Sequence, residues 1–430
     1  MRKVIQNQLL IKPHFTFKMG TFFLPTVPFL SLLLFIYSIF KGKNKKNTYS
    51  FFKDPICKLF IISFVLILVS TLYHYFYNNY YNYPFLNNTL ALLGLFNWMP
   101  FIFFWGLRSY LDSPHKRTIF AKYLIAGSLP VLILGIFQKW FNLTGPFTFF
   151  DRLIVWHLPL LNSDSGITSI FNNPNYLGIW LTAVLPFCIY FVLTKQKDFL
   201  NSSLFVILLI TTSLTTILTL SRNAWIGFLF SIFFLLKIKK NLLFAGLLIS
   251  FLFLLILLNF DNLPNNIKTL LEFLIPSNIL IEFTNEEFID LDITRSQIWL
   301  KTITLIAKKP IFGWGPGTFS TVFAEETGFD KFHSHNFPLE IAFGYGILPA
   351  IIISLSIFLL LIFTFKKVTS INGLNKFKNI SLIDQAWFTS SLIVMISHLF
   401  DVTYYDGRIS SLCWILMAGL LNISKDSQNE

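Results

Sequence analysis

Apolar residues along this chain run in blocks about 20 residues long, separated by short polar connections, without the one-sided period of a surface helix. A helix needs about 20 predominantly apolar residues to cross the hydrocarbon core of a bilayer. On that measure spans are predicted near 20–40, 58–76, 88–107, 120–139, 175–194, 204–220, 223–236, 241–260, 338–364, 381–400 and 409–423. The block 223–236 is short, and 20–40 is interrupted by Pro25 and Pro28.

The polar connections give these blocks a direction. Lys41, Lys43, Lys45, Lys46 and Lys53 follow the first block, and Arg108, Lys116 and Arg117 follow the third. Lys195 and Lys197 follow the fifth, Lys237, Lys239 and Lys240 the seventh, and Lys366, Lys367, Lys376 and Lys378 the ninth. Every second connection is basic, which assigns that set to the cytoplasm. The alternate connections, 77–87, 140–174, 221–223, 261–337 and 401–408, are then outside. The N-terminal segment also carries Arg2, Lys3, Lys12 and Lys18. Placing it inside as well requires 20–40 to be a broken pair of half-helices, giving about twelve membrane elements.

The expected fold is therefore an all-α polytopic membrane protein of about 11–12 transmembrane helices. Residues 1–19 form an N-terminal segment, 20–423 the membrane domain and 424–430 a cytoplasmic tail. The outer loop 261–337 is expected to contain short helices. Its first part is acidic (Glu282, Glu286, Glu287, Asp290, Asp292). Thr294 has the position of an N-cap for a helix running from Arg295 to Lys309 and stopped by Pro310. Trp299 and Trp314 suit a segment lying at the membrane interface.

Composition agrees. Of the 430 residues 54% are hydrophobic and 13% charged, against about 25% charged in soluble domains. The net charge is +13, and the positive-inside pattern accounts for it without nucleic-acid binding. Cys57, Cys188 and Cys413 have neither disulfide-framework nor zinc spacing. No cleavable signal peptide is evident: the first apolar block ends in lysines, with no small-residue cleavage site.

Side chains capable of chemistry gather on one face. Arg222, Arg295, His333, His335, His398, Asp401, Asp406 and Arg408 all fall at the outer surface, whereas the cytoplasmic connections hold mostly lysines. An arginine between two apolar blocks costs about 2.5–3.5 kcal/mol at a helix centre. Arg222 therefore marks either a helix end or a place where an anion is handled. Arg295 at a helix N-terminus opposes the macrodipole. Two guanidinium forks on one side suit the oxygens of a phosphate.

His333 and His335 stand two apart, and His335 immediately precedes the ninth block, where an imidazole can act as general base. No further Cys, His or carboxylate set has zinc spacing, so no metal is expected. Asp401, near His398, either orients an imidazole or pairs with Arg408, structural pairing being the plainer reading. Asn172, Asn173 and Asn175 cap the fifth span or bind sugar hydroxyls, capping being the plainer reading. Gly313-Trp314-Gly315-Pro316-Gly317 is a glycine-rich turn after Pro310 whose amides are able to cradle phosphate, a plain turn being the commoner reading.

Taken in order, these pieces resemble the O-antigen ligase / O-antigen polymerase superfamily of polytopic, GT-C-like membrane glycosyltransferases. The resemblance rests on Ser221-Arg222-Asn223-Ala224-Trp225, Arg295 with Ile298-Trp299, and the stretch from Pro310 to Gly317. It continues through His333-Ser334-His335-Asn336, Leu339-Glu340, Gly344-Tyr345-Gly346, Asn172 to Asn175 and His398 to Trp414. In the ligase pattern a His-Asn pair leads about ten residues later into Gly-x-x-Gly; here Pro349 stands in place of the last glycine. The resemblance covers roughly 130–420.

It implies a metal-independent, inverting glycosyltransferase of the inner membrane, working on its outer face without a cofactor. The donor would be a glycan on undecaprenyl diphosphate, and the acceptor a lipid A-core sugar (ligase) or another repeat unit (polymerase). Carried over, Arg222 and Arg295 hold the diphosphate and His335 activates the acceptor hydroxyl, with His333, Asn336, Asp401 and Asn175 as further substrate contacts. The competing readings are an anion (bicarbonate) transporter and a lipid-linked oligosaccharide flippase. Both require ionisable residues through the bundle, and the spans hold almost none on their cytoplasmic half.

Overall fold

The structure is a computed structural model describing residues 12–42, 51–77, 84–161, 165–194, 199–236, 293–369 and 381–425. The predicted span 241–260 and the acidic part of the outer loop lie outside the described residues. What is described is almost wholly helical. The helices are α1 (Pro13–Phe23), α2 (Pro28–Lys41), α3 (Pro55–Tyr77), α4 (Pro84–Asn97), α5 (Phe101–Gly106), α6 (Pro114–Trp140), α7 (Pro174–Leu193), α8 (Phe199–Leu218) and α9 (Arg222–Leu235). They continue with α10 (Arg295–Lys308), α11 (Phe319–Thr327), α12 (Phe337–Tyr345), α13 (Ile347–Thr369), α14 (Leu382–Ser397) and α15 (Gly407–Lys425). Proline opens α1, α2, α3, α4, α6 and α7. It does so because the first helical position needs no N–H donor and proline's φ already suits the helix.

Among the described residues six helices are long and apolar enough to cross a membrane: α3, α6, α7, Leu200–Leu218 within α8, α13 and α15. Shorter apolar helices, α2, Leu92–Gly106, α9 and α14, complete the bundle. The chain is a multi-pass membrane protein. The exposed stripes Ile62, Val65, Val69 and Leu72 on α3, and Ile351, Leu355 and Phe358 on α13, show where lipid lies. Helices α7 and α15 are buried nearly all round and form the centre. Trp387 packs there between Phe120 and Phe187, its indole N–H donating to Leu416 O (2.9 Å).

The expected broken pair is present. Helices α1 and α2 fold back on each other: Thr16 Oγ1 meets Ser38 Oγ at 2.7 Å, and Ser31 Oγ donates to Gly20 O (2.7 Å). Their turn, at Thr26, accepts a hydrogen bond from Trp156 Nε1 (2.9 Å) at the far end of the bundle. Two predicted spans are corrected. The block 88–107 is broken at Trp98–Pro100 into α4 and α5, because Pro100 cannot continue the ladder. The block 338–364 is broken at Gly346, which has φ +102°. A Cβ there would stand 2.0 Å from Ile311 O, so only glycine fits. The connection 140–174 also contains an unpredicted antiparallel hairpin, β1 (Phe147–Phe149) with β2 (Ile154–Trp156).

Polar contacts define the two ends of the bundle. At one end Arg117 Nε pairs with Asp384 Oδ1 (2.7 Å), Arg108 Nε with Asn422 Oδ1 (3.4 Å), Lys425 with Asp54, and Tyr110 Oη with Ser38 O (2.8 Å). This end carries Arg108, Lys116 and Arg117, whose connection is predicted to be cytoplasmic. The opposite end holds the hairpin, the starts of α7, α9, α10 and α12, and the turn between α14 and α15.

Candidate active site

Four helices begin at that opposite end, each with a polar cap. Asn173 accepts from Asn175 N on α7, Ser221 from Ala224 N on α9, Thr294 from Gln297 N on α10, and Asn336 from Leu339 N on α12. Thr294 and Gln297 form a reciprocal capping box, so the predicted helix starts where expected and ends one residue early, at Lys308. Arg222 and Arg295 are each the first residue of a capped helix. A helix N-terminus already carries partial positive charge, and a cation placed on it adds to a field that favours an anion.

These starts are tied together by side chains. Ser221 Oγ donates to Asn175 Oδ1 (2.8 Å), and Asn175 Nδ2 donates to Asp401 Oδ2 (2.9 Å). Asp401 Oδ1 accepts from Val402 N (2.9 Å) and lies 3.3 Å from His335 Nδ1 and 3.8 Å from His333 Nε2. Asp401 is buried, His333 and His335 are half-buried, and the two arginines are exposed. A carboxylate accepts only, so the proton shared with His335 sits on Nδ1. That leaves His335 Nε2 with a free lone pair.

The loop bearing the histidines is held from behind. Ser334, buried between them, donates its N–H to Glu340 Oε2 (2.9 Å) and its Oγ to Asn336 O (2.9 Å). Glu340 also accepts from Tyr405 Oη (2.9 Å). Asn336 Nδ2 donates to Leu399 O (2.9 Å), joining the loop to the segment carrying Asp401. His335 is left-handed, φ +53°, and its N–H reaches His333 Nδ1 at 3.3 Å. A non-glycine residue in that region stores strain, which persists only where the surroundings hold it.

Electrostatics couple the same residues. Burial would raise the Asp401 carboxyl, but the hydrogen bond from His335 and the nearby His333, His335 and Arg295 outweigh it and hold it below its ordinary value. His333 is pushed down to about 4, first by burial and then by His335 and Arg295, against the pull of Asp401. It is neutral at pH 7. Desolvation lowers the Arg295 guanidinium, Asp401 raises it, and Arg222 lowers it again. Arg295 stays charged at any working pH. It therefore lies within the electrostatic reach of both Asp401 and Arg222.

The arrangement gathers at one end of the bundle the seven residues expected from the sequence as catalytic or substrate contacts: Arg222, Arg295, His333, His335, Asp401, Asn175 and Asn336. The side chains of Asn175 and Asn336 are engaged in joining elements. One expectation is corrected and one open reading is decided. Arg408 pairs with Asp406 (Nη2–Oδ2 2.5 Å) and lies over the Phe171 ring, leaving Asp401 to His335. The amides of Gly313, Trp314 and Gly315 donate to Lys309 O, Phe343 O and Gly344 O at 2.7–3.1 Å. That turn is clamped to α12 through the amides of Trp314 and Gly315. Sequence reasoning missed the Ser221–Asn175 link, and it missed Glu340 and Tyr405 as supports for the histidine loop. A buried acid six residues after Ser334 was the available signal.

Residues 204–354 match the family model described as O-Antigen ligase. Over that stretch, about a third of its length, the chain is similar to O-antigen ligases. The matched segment contains Arg222, Arg295, His333, His335 and Asn336, while Asn175 and Asp401 reach the same site from outside it. No curated protein matches the chain.

Proposed function

We propose that this protein transfers a glycan from a polyprenyl diphosphate to a sugar hydroxyl on the outer face of the inner membrane. Undecaprenyl diphosphate is the proposed donor carrier and a lipid A-core sugar the proposed acceptor. The observation that carries this reading is the chain Ser221–Asn175–Asp401–His335, which ties the α9 start bearing Arg222 to a carboxylate set against an imidazole, with Arg295 within electrostatic reach of Asp401. A cation pair for a leaving group and a carboxylate-oriented imidazole for a nucleophile thus share one site.

In the proposed step His335 Nε2 takes the proton of the acceptor hydroxyl as its oxygen attacks the anomeric carbon. The bond from that carbon to the diphosphate oxygen breaks, and the electron pair leaves on the diphosphate. In-line attack inverts the anomeric centre. Arg222 and Arg295, with the α9 and α10 N-termini beneath them, meet the growing negative charge. One such preorganised contact is worth about 3 kcal/mol, and general-base help by His335 roughly 10²–10⁴-fold. Neither role requires a metal. A lipid-tailed donor accounts for the bundle around the site.

Glycan analysis of a strain lacking the protein tests the proposal. Free polymer that is no longer attached to its acceptor supports ligation. Acceptors capped with single repeats assign the same chemistry to a polymerase. An unchanged glycan profile contradicts both.

A further inference from the structure

Asp401 Oδ1, His335 Nδ1 and His333 Nε2 point at one another across short gaps. The carboxylate oxygen is 3.3 Å from one nitrogen and 3.8 Å from the other, and the three donor atoms lie within 4.8 Å of one another. Ligands on a tetrahedral ion with bonds of about 2.0–2.1 Å are separated by roughly 3.4 Å, the scale of these gaps. No sequence spacing announces the set, because Asp401 reaches His335 across 66 residues of chain.

We infer that His333, His335 and Asp401 form a binding site for a first-row transition-metal ion of the zinc type, and that occupancy switches the site off. Two imidazoles and one carboxylate select zinc, cobalt, nickel or copper over magnesium and calcium, which prefer all-oxygen shells. The imidazoles are held in place beforehand: Glu340 anchors the amide of Ser334 between them, and Asn336 ties the loop to Leu399.

The inhibitory effect rests on the glycan-transfer reading, whereas the binding itself does not. A metal bound at His335 Nδ1 takes the lone pair there, so the ring carries its proton on Nε2. The atom that would accept the hydroxyl proton is then already protonated, and Asp401 is drawn from orienting the ring to ligating the ion. At His333, ligation through Nε2 moves the proton to Nδ1 and exchanges the 3.3 Å contact from the His335 amide for a metal–nitrogen bond. Arg295, within electrostatic reach of His333 and Asp401, weakens a bound dication. The ion is thus expected to exchange, as befits an inhibitor more than a structural metal.

The test uses the purified full-length protein in detergent. Cobalt(II) titration followed by visible absorption is expected to show one tetrahedral-type site per chain, displaced by zinc and untouched by magnesium. His333→Ala and Asp401→Asn should abolish it. Copper-loaded wild type, which needs no variant, should show coupling to two imidazole nitrogens by electron paramagnetic resonance. Absence of cobalt binding, cobalt binding unaltered in folded variants, or a copper spectrum without imidazole coupling overturns the site. Zinc should also suppress glycan transfer, and chelator should restore it. If zinc binds at these residues and transfer continues, the metal site stands and the role of His335 as base falls.

Discussion

At the scale of single residues, the account rests on Arg222, Arg295, His335 and Asp401. Replacing either arginine by alanine should lower transfer by about 10²–10³-fold, the usual loss for one preorganised contact to a developing anion. His335→Ala should lose roughly 10²–10⁴-fold. Both are read from product formation by protein that still purifies as a folded membrane protein. His333 makes a separate prediction. Its folded pKa, about 4, lies below the ordinary 6.5. The unfolded chain therefore binds the proton first as pH falls. Its contribution is fully present above pH 6.5 and is lost as pH drops toward 4, by up to roughly 3 kcal/mol. Thermal unfolding should show that loss, and His333→Asn should flatten it. The arginines and the imidazole were legible in the sequence because a charge between apolar blocks is conspicuous. The partner of His335 was not, since Asp401 lies 66 residues from it and far nearer in sequence to both His398 and Arg408.

Among the elements, caps and glycines decide where side chains point. Thr294 both starts α10 and sets Arg295 at its first position, so Thr294→Ala should lower stability by about 1 kcal/mol. Gly346 matters more. A methyl group there meets Ile311 O at 2.0 Å on a backbone that side chains rarely adopt. Gly346→Ala should destabilise the protein by on the order of 3 kcal/mol, read as a drop in the unfolding midpoint. The α10 start was readable beforehand because a capping box is local: four residues contain the whole signal. The breaks at Pro100 and Gly346 were not, because apolar composition continues across them. The hairpin at Phe147–Trp156 was hidden for the opposite reason, being only two three-residue strands in an otherwise irregular connection.

For the whole molecule, the described polar contacts mark two ends. Arg117–Asp384 and Lys425–Asp54 lie at one end and the candidate site at the other. Cysteines placed at positions 222 and 335 should react with impermeant reagents from the same side, and one at position 41 from the opposite side. Cys57, Cys188 and Cys413 are buried and leave a quiet background. The general architecture was legible because a bilayer enforces long apolar blocks and internally satisfied backbone. Convergence of four helix starts on Asp401 was not, because it is a property of packing between segments far apart in the chain. The most direct test of the central claim is transfer by the purified protein in liposomes, from a polyprenyl-diphosphate glycan to a sugar acceptor. The account predicts product and free polyprenyl diphosphate from the wild type, and neither above background from Arg295→Ala or His335→Ala. Undiminished turnover by both variants would contradict it.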